Sequence, residues 1–397
     1  MRRKIAHVVG SPESFRLLLR AQLDALREAG FEVHCIAGPG DYHRSLAADG
    51  FATHAAPLTR RLEPLTDLRA LVALARLFRR ERFDLVHTHN PKTAVVAEAA
   101  ARLARVPHVV TTLHGMLAHD ETSRWLRVPL GLVDRAQTRL ADRVLCQSAE
   151  DLARAVAARV CAPAKLRPLG QGIDLRRFDP ARFPRSVRGA LRTRLGLPAD
   201  ALIVGMVGRL AWEKGFAELF EMARRIATRT PRVHFLVAGL QIPERDPVDP
   251  DPRRHGLDGR LTVLLNRSDM PELYACMDVS VLPTYREGFP RALVEASAMG
   301  VPAVSTDIRG CREAVAHGMT GLLVCPRDAG SLADAVWRLL SDDALRARMA
   351  AACRPRATAE FDERRVCARV IALYRDLLGA PAVEENALHV PVRQAAE

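Results

Sequence analysis

The sequence predicts an α/β protein of two doubly wound, Rossmann-like domains, and three observations carry that prediction. Short β-branched runs alternate with helical runs of ten or more residues, which means βαβ units and a parallel sheet. The alternation stops at Pro168, gives way to a stretch rich in Gly, Pro and Arg, and restarts after Pro198. A chain of 397 residues also exceeds one ordinary core, since domains cluster near about 100 to 200 residues.

Taken in order, "KIAHVV" is a strand, "PESFRLLLRAQLDALREAG" a helix closed by Gly30, and "FEVHCIAG" the next strand. "LTDLRALVALARLFRRE" and "AVVAEAAARLA" are helices; "FDLVHTH", "PHVVTTLH" and "RVLCQS" are strands. After the break, "ALIVGMVGRL", "VHFLVAG", "LTVLL", "VSVLPT" and "VPAVSTD" are strands, with "FAELFEMARRIATR", "MPELYACM" and "RALVEASAMG" as helices between them. Helical runs follow over 329–340 and 343–352, then "RRVCARVIALYRDLLGA". The expected division is 1–168 for the first domain, 169–198 for a linker and 199–355 for the second domain. A last helix in 356–380 is free to cross back to the first domain, and 381–397, without periodicity, is expected to be a disordered tail.

The composition, 48% apolar and 26% charged, is that of a soluble globular protein. The net charge of +13 raises nucleic acid as a partner. The cations are spread along the chain, however, and only Lys4, Lys92, Lys165 and Lys214 are lysines. That pattern favours an anionic membrane surface or a nucleotide ligand over nucleic acid. Eight cysteines without a C-x-x-C suggest buried thiols in a reducing compartment. No signal-peptide pattern and no apolar window of about 18 residues occurs. The expected location is therefore cytoplasmic, at most peripheral on a membrane.

In open parallel sheets, ligands bind beyond the carboxyl ends of the strands. There the first domain carries Gly10 and Ser11, then His87 and His89 with Asn90, then His114 and Gly115. The second carries Gly208 and Arg209 with Lys214, then Glu287 and Gly288, then Asp307 to Gly310. Two such sets define an expected interdomain cleft. Arg209 and Lys214 lie in a strand-to-helix turn, where a cation meets a phosphate beside a helix N-terminus; two solvated loop cations would look the same.

His87 and His89 in "HTHN" raise a zinc site. They are expected to diverge along the extended segment and to meet only in a loop, and zinc needs at least three protein ligands, with His114 the one candidate for a third. A cleft-floor pair and plain packing stand beside that reading. Asp249 and Asp251 in "DPD" match a metal-binding spacing but lie in a proline-broken loop. Neither G-x-G-x-x-G nor G-x-x-x-x-G-K-[ST] is present, which demotes dehydrogenase and P-loop ATPase.

"VGRLAWEKG", "PTYREGFPRALVEASAMGVPAVSTDIRGCREAV" and "HGMTGLLV" together resemble the GT-B retaining glycosyltransferases of family 4, with "DLVHTHNPKT", "TLHG" and "GQGID" adding support from the first half. The resemblance covers all but the last twenty or so residues. It implies an acceptor-side first domain, a nucleotide-sugar-binding second domain, and metal-independent transfer of a hexose or N-acetylhexosamine from a nucleotide-sugar, UDP before GDP. It implies a glycan or polyprenyl-diphosphate-linked acceptor in polysaccharide or glycolipid synthesis.

Carried over by position, Arg209 and Lys214 would bind the donor diphosphate, with Gly208 at the strand end beside them. Glu287 would contact sugar hydroxyls beside the amides of Gly288 and Phe289, and Glu295 the ribose. His114 would lie near the reaction centre, and Gly10 and Ser11 in the loop over the phosphates. Two departures are Pro290, which lacks an N–H, and Gln171 where many relatives carry Asn. Retention implies front-face attack, the donor phosphate taking the acceptor proton. Lys214, placed in an exposed loop, is expected to matter for turnover far more than for stability.

The segment "SRWLRVPLGLVDRAQTRLADRV" interleaves Trp125, Leu126, Val128 and Leu130 with Arg124, Arg127 and Arg135. An interfacial helix has this composition, and so does a core helix with a solvated face. Two alternatives to the transferase remain: a GT-B-fold nucleotide-sugar epimerase, and a non-catalytic sugar-nucleotide-binding subunit. Glu287 and Glu295, eight residues apart, span too far along a helix to share a proton. They read as two grips on one ligand.

Overall fold

The computed structural model describes residues 2–59, 63–118, 122–240 and 248–379. The chain divides into two compact units, Met1–Gln171 with Glu363–Glu397, and Gly172–Asp362. The expected tail, 381–397, lies outside the described residues.

In the first unit the strands are β1 (Lys4–Val8), β2 (Glu32–Ala37), β3 (Ala52–Ala55), β4 (Leu85–His89), β5 (His108–Leu113), β6 (Arg143–Cys146) and β7 (Leu166–Pro168). They form one parallel sheet in the order β3-β2-β1-β4-β5-β6-β7. Period-two alternation sorts their side chains onto two faces. Ile5, Cys35, Leu85 and Val110 pack with Leu19, Leu23 and Leu26, and with Val370 and Tyr374 of the C-terminal helix Glu363–Leu377. Ala6, Val8, Val86 and Val109 pack with Leu74 and Phe78 of Pro64–Glu81 and with Ala97 and Ala101 of Pro91–Leu103.

The second unit holds β8 (Leu202–Arg209), β9 (Val233–Leu240), β10 (Leu261–Leu265), β11 (Val279–Leu282), β12 (Ala303–Thr306) and β13 (Gly321–Val324). They too form a parallel sheet, ordered β10-β9-β8-β11-β12-β13. β3, β7 and β13 are short edge strands that do not stand out in the sequence.

Two boundaries move. The stretch 169–198 is not a free linker. It contains the helix Arg185–Arg194, and Ile173, Phe178, Phe183, Leu191, Leu195 and Leu197 enter the second unit's core. Their spacing is irregular because several anchor loops rather than one face. The second unit also extends beyond 355: the helix Asp343–Glu360 runs through Pro355, Ala357 and Phe361 are buried, and the Ile173 amide donates to the Phe361 carbonyl at 2.9 Å.

Candidate active site

Each sheet reverses its strand order once near the middle, between β1 and β4 in the first unit and between β8 and β11 in the second. Such a reversal opens a crevice beyond the strand ends. The functional candidates fall at those two places, one set in each unit.

In the second unit β8 ends at Arg209, a turn of 3-10 helix spans Trp212–Lys214, and Gly215 leads into the helix Phe216–Arg229. Gly215 has φ of +79°, and a Cβ there would lie 1.9 Å from the Pro283 carbonyl oxygen. Only glycine lets this turn approach the end of β11 so closely. The approach is tied down by the Tyr285 amide donating to the Glu213 carbonyl at 2.9 Å and by Thr284 Oγ1 donating to the same oxygen at 3.3 Å.

Across this junction Lys214 Nζ lies 2.6 Å from Glu287 Oε1. Lys214 is 9% exposed, which corrects the expectation of an exposed loop cation: the turn faces the β11 loop, and Glu287 compensates the buried charge. Arg209 donates to Glu213 Oε1 at 2.5 Å. Burial pushes the Glu213 carboxyl up, but Arg209 and Lys214 outweigh it and hold the group below its ordinary range. Gly288 stands against Gly310, where a Cβ would come within 2.5 Å of the Gly288 carbonyl oxygen. The Phe289 ring meets Phe361 edge-on at 5.8 Å.

Glu287 lies in the loop after β11, and Glu295 lies inside the helix Arg291–Ala298. Pro290 occupies the position just before that helix. The Tyr274 hydroxyl, fully buried, faces Glu295 Oε2 at 3.1 Å and the Ala292 carbonyl at 3.0 Å. Burial raises the Glu295 carboxyl above its ordinary range, against the pull of Arg291. Tyr274 and Glu213 were not legible as site residues, since "MPELYACM" presents the tyrosine as one more apolar helix position.

In the first unit the Gly10 amide donates to Asn90 Oδ1 at 3.4 Å, which joins the ends of β1 and β4. Ser11 Oγ donates to Glu13. His87 and His89 do not diverge: residues i and i+2 of a strand share a face, and their ring centroids are 4.3 Å apart. The third histidine of this group is His7, the β1 partner of His87. Among the described residues, His7, His87 and His89 are the one group of three or more metal-capable side chains whose donor atoms converge, within 4.8 Å. His114 reaches the cluster through His89, 3.1 Å away. Sequence reasoning missed His7; alternation in "KIAHVV", which puts His7 on the same face as Ile5, is the signal that could have found it.

Asp251 caps the turn Pro252–His255 and pairs with Arg253, and Asp249 accepts from the Asp251 amide and pairs with Arg254, consistent with a structural loop. No helix among the described residues is long and apolar enough to cross a membrane.

Two family models match, "Glycosyltransferase Family 4" over residues 18–177 and "Glycosyl transferases group 1" over 187–356. A glycogen synthase of Mycobacterium tuberculosis is 32% identical over 300 residues, covering 74% of this chain and 69% of its own. The chain is a family 4 glycosyltransferase. This glycosyltransferase is also 28% identical over 381 residues to the UDP-Gal:alpha-D-GlcNAc-diphosphoundecaprenol alpha-1,3-galactosyltransferase of Escherichia coli, covering 94% of this chain and 97% of that one. Its fold matches that of the Anabaena protein HepE, solved with UDP and glucose, at a TM-score of 0.78 and 21% identity, over 94% of this chain and 99% of that chain. Both named relatives are transferases, and the epimerase alternative gains no support from them.

Proposed function

We propose that this glycosyltransferase moves a hexose or N-acetylhexosamine from a UDP-sugar to a glycan or polyprenyl-diphosphate-linked oligosaccharide, with retention of configuration and without a metal. The observation that carries the reading is the Lys214–Glu287 pair at the strand reversal of the second sheet. An arriving diphosphate competes for the Lys214 ammonium and frees Glu287 to accept hydrogen bonds from sugar hydroxyls. The Escherichia coli relative uses UDP-galactose and a diphosphoundecaprenol-linked acceptor by name, and HepE is solved with UDP; these support a UDP-sugar and a lipid-linked acceptor.

In this reading Arg209 and Lys214 stabilise the charge that builds on the departing diphosphate, where preorganised donors act most strongly. Glu295 takes the ribose, Gly208, Gly288 and Phe289 line the donor, and Gly10 and Ser11 approach its phosphates. The acceptor hydroxyl attacks on the face the diphosphate leaves; the C–O bond forms as the anomeric C–O bond to phosphate breaks, and the proton passes to a phosphate oxygen. The first unit's histidine donors fit hydrogen bonding better than a metal, since every ring nitrogen of His7, His87 and His89 already has a partner.

The lipid part of the reading rests on the helix Arg124–Arg139. It buries Asp134, Gln137 and Thr138 and exposes Trp125 (90%), Leu126, Val128 (69%), Leu132 and Val133. A core helix with a solvated face would do the reverse. Apolar side chains turned outward among Arg124, Arg127, Arg135 and Arg139 suit an anionic membrane surface, which would place the enzyme on the cytoplasmic face of a membrane carrying its acceptor.

The deciding experiment incubates the purified enzyme with UDP- and GDP-sugars, with and without polyprenyl-diphosphate-linked acceptor, and with EDTA in a parallel series. Acceptor-dependent release of UDP that survives EDTA is expected. Acceptor-independent conversion of the sugar nucleotide, or binding without turnover on every acceptor, overturns the proposal.

A further inference from the structure

A series of buried polar side chains in the first unit lies on the sheet face covered by the C-terminal helix. His7, His87 and His89 are completely or almost completely buried, as are Thr112 and Tyr374. They continue the apolar stripes of Ile5 and Leu85 toward the carboxyl ends of β1 and β4, where leucine or valine would have packed as well. Three imidazoles and a phenol in such a place have to find partners among neighbouring side chains, and the half-buried His114 extends the set.

They do so in one continuous series. Thr112 Oγ1 is 2.7 Å from His87 Nε2, and His87 Nδ1 is 2.6 Å from the Tyr374 hydroxyl. That hydroxyl is 3.3 Å from His7 Nε2, and His7 Nδ1 is 3.2 Å from His89 Nε2. His89 Nδ1 is 3.1 Å from His114 Nε2, and His114 Nδ1 is 3.0 Å from Gln147 Oε1. Every ring nitrogen of the four histidines has one partner.

Proton counting then sets the direction. Gln147 Oε1 only accepts, so His114 Nδ1 carries a proton. Burial holds all four rings neutral, lowering His114 to about 4 and His7 to about 3. A neutral ring has one N–H, so His114 Nε2 is bare and accepts from His89 Nδ1–H. The same logic passes along the series: His89 Nε2 accepts from His7 Nδ1–H, His7 Nε2 from Tyr374 O–H, Tyr374 from His87 Nδ1–H, and His87 Nε2 from Thr112 O–H. One proton sits in each link, and all four rings share the Nδ1–H tautomer.

We propose that Thr112, His87, Tyr374, His7 and His89 are positioning residues that lock His114 as an Nδ1–H donor, and that Gln147 holds the place of the ligand oxygen which that N–H meets. The bound group is therefore an oxygen acceptor, such as a sugar hydroxyl. Its identity as part of the sugar donor rests on the proposed function; the tautomer lock does not. Gln147, just after β6, is only partly buried, so its side chain can leave without opening the core.

The test uses the full chain labelled with 15N-histidine. Two-bond proton–nitrogen correlation spectra at neutral pH should show the four rings protonated at Nδ1 and bare at Nε2. Tyr374→Phe keeps the ring that packs edge-on against Phe31 but removes the link, so His7 and His89 should lose the single tautomer, and His114 is left with Gln147 alone to hold its own. Its kcat should fall about tenfold, the scale of lost supporting contacts, with donor KM little changed.

His89→Asn places an amide N–H where Nδ1 stood and should restore the His114 tautomer and most of kcat; His89→Gln, whose amide reaches only the Nε2 position, should not. These two variants carry the test if Tyr374→Phe does not fold. A proton on His114 Nε2 in the wild type, a tautomer unchanged in Tyr374→Phe, or a shifted tautomer with unchanged kcat overturns the inference. A wild type that shows the tautomers but turns over no sugar nucleotide rejects the proposed function instead.

Discussion

Lys214 Nζ and Glu287 Oε1 lie 2.6 Å apart, joining the turn after β8 to the loop after β11 in an ion pair that is mostly shielded from water. The pair has a structural and a chemical consequence. Lys214→Ala should lower kcat by about 10²- to 10³-fold, the usual cost of removing one preorganised donor. It should also lower stability by about 1–3 kcal/mol, because Glu287 is left as a shielded carboxylate without its cation. The double variant Lys214→Met with Glu287→Gln removes both charges and should recover part of that stability while staying inactive. Urea denaturation and UDP-release kinetics on the same preparations separate the two effects.

Glu295 leads to a pH prediction. Its carboxyl is raised above the ordinary range by burial, and holding ribose hydroxyls requires the ionised form. As pH falls, UDP affinity should therefore weaken earlier than an ordinary carboxylate would allow. Calorimetric titration with UDP between about pH 5 and 8 should show tighter binding at the upper end. Glu295→Gln should bind more weakly and without that slope.

A second titrating group affects stability. Glu98 is fully buried, its Oε1 accepts from Thr88 Oγ1 at 3.2 Å, and its carboxyl is pushed up to about 8 by burial. Below the unfolded value of 4.5 both states are protonated and pH has no effect through this group. Between there and about 8 the unfolded chain ionises while the folded one does not, so the native state loses stability as pH rises. At about 1.4 kcal/mol per pKa unit, the change is on the order of several kcal/mol. The stability difference between Glu98→Gln and wild type should thus move in favour of the variant from pH 5 to pH 8. Equal urea midpoint differences at both values would contradict this.

Gly310, at φ of +79° and against the Gly288 carbonyl, fixes the loop that carries Glu287. Gly310→Ala adds both a strained backbone and a contact that must shift. The expected outcome is a rise in donor KM and a fall in kcat of about tenfold or more, a displacement of about 1 Å being enough for such losses. An unchanged donor KM would show that the loop yields elsewhere.

For the helix Arg124–Arg139, Trp125→Glu with Val128→Glu should leave thermal stability unchanged, since both side chains are exposed. Sedimentation with vesicles containing anionic lipid should drop sharply, and binding of the wild type should weaken with added salt. Equal sedimentation of variant and wild type would remove the membrane from the proposal.

Much of the fold was open to sequence inspection because βαβ units impose two periods that the apolar residues obey. β1, β4, β8, β9 and β11 lie where the β-branched runs stand, and the turn at Arg209–Lys214 and the loop at Glu287 follow strand ends as expected. The short strands β3, β7 and β13 lacked enough length to show a period. The stretch 169–198 hid its core role because its apolar residues anchor irregular backbone.

Local pattern by itself determined the two parallel sheets, the strand-end positions of the candidate residues and the apolar and basic composition of the helix at Trp125. Tertiary structure alone decided that Lys214 is shielded and neutralised by Glu287, because the two are 73 residues apart and meet only where the sheet reverses. It alone turned the helix Arg124–Arg139 apolar side outward. It also brought Tyr374 to His7 and His87 across separations of 367 and 287 residues. No sequence period reaches so far: a side chain's period says which face it takes, and only packing says what that face meets.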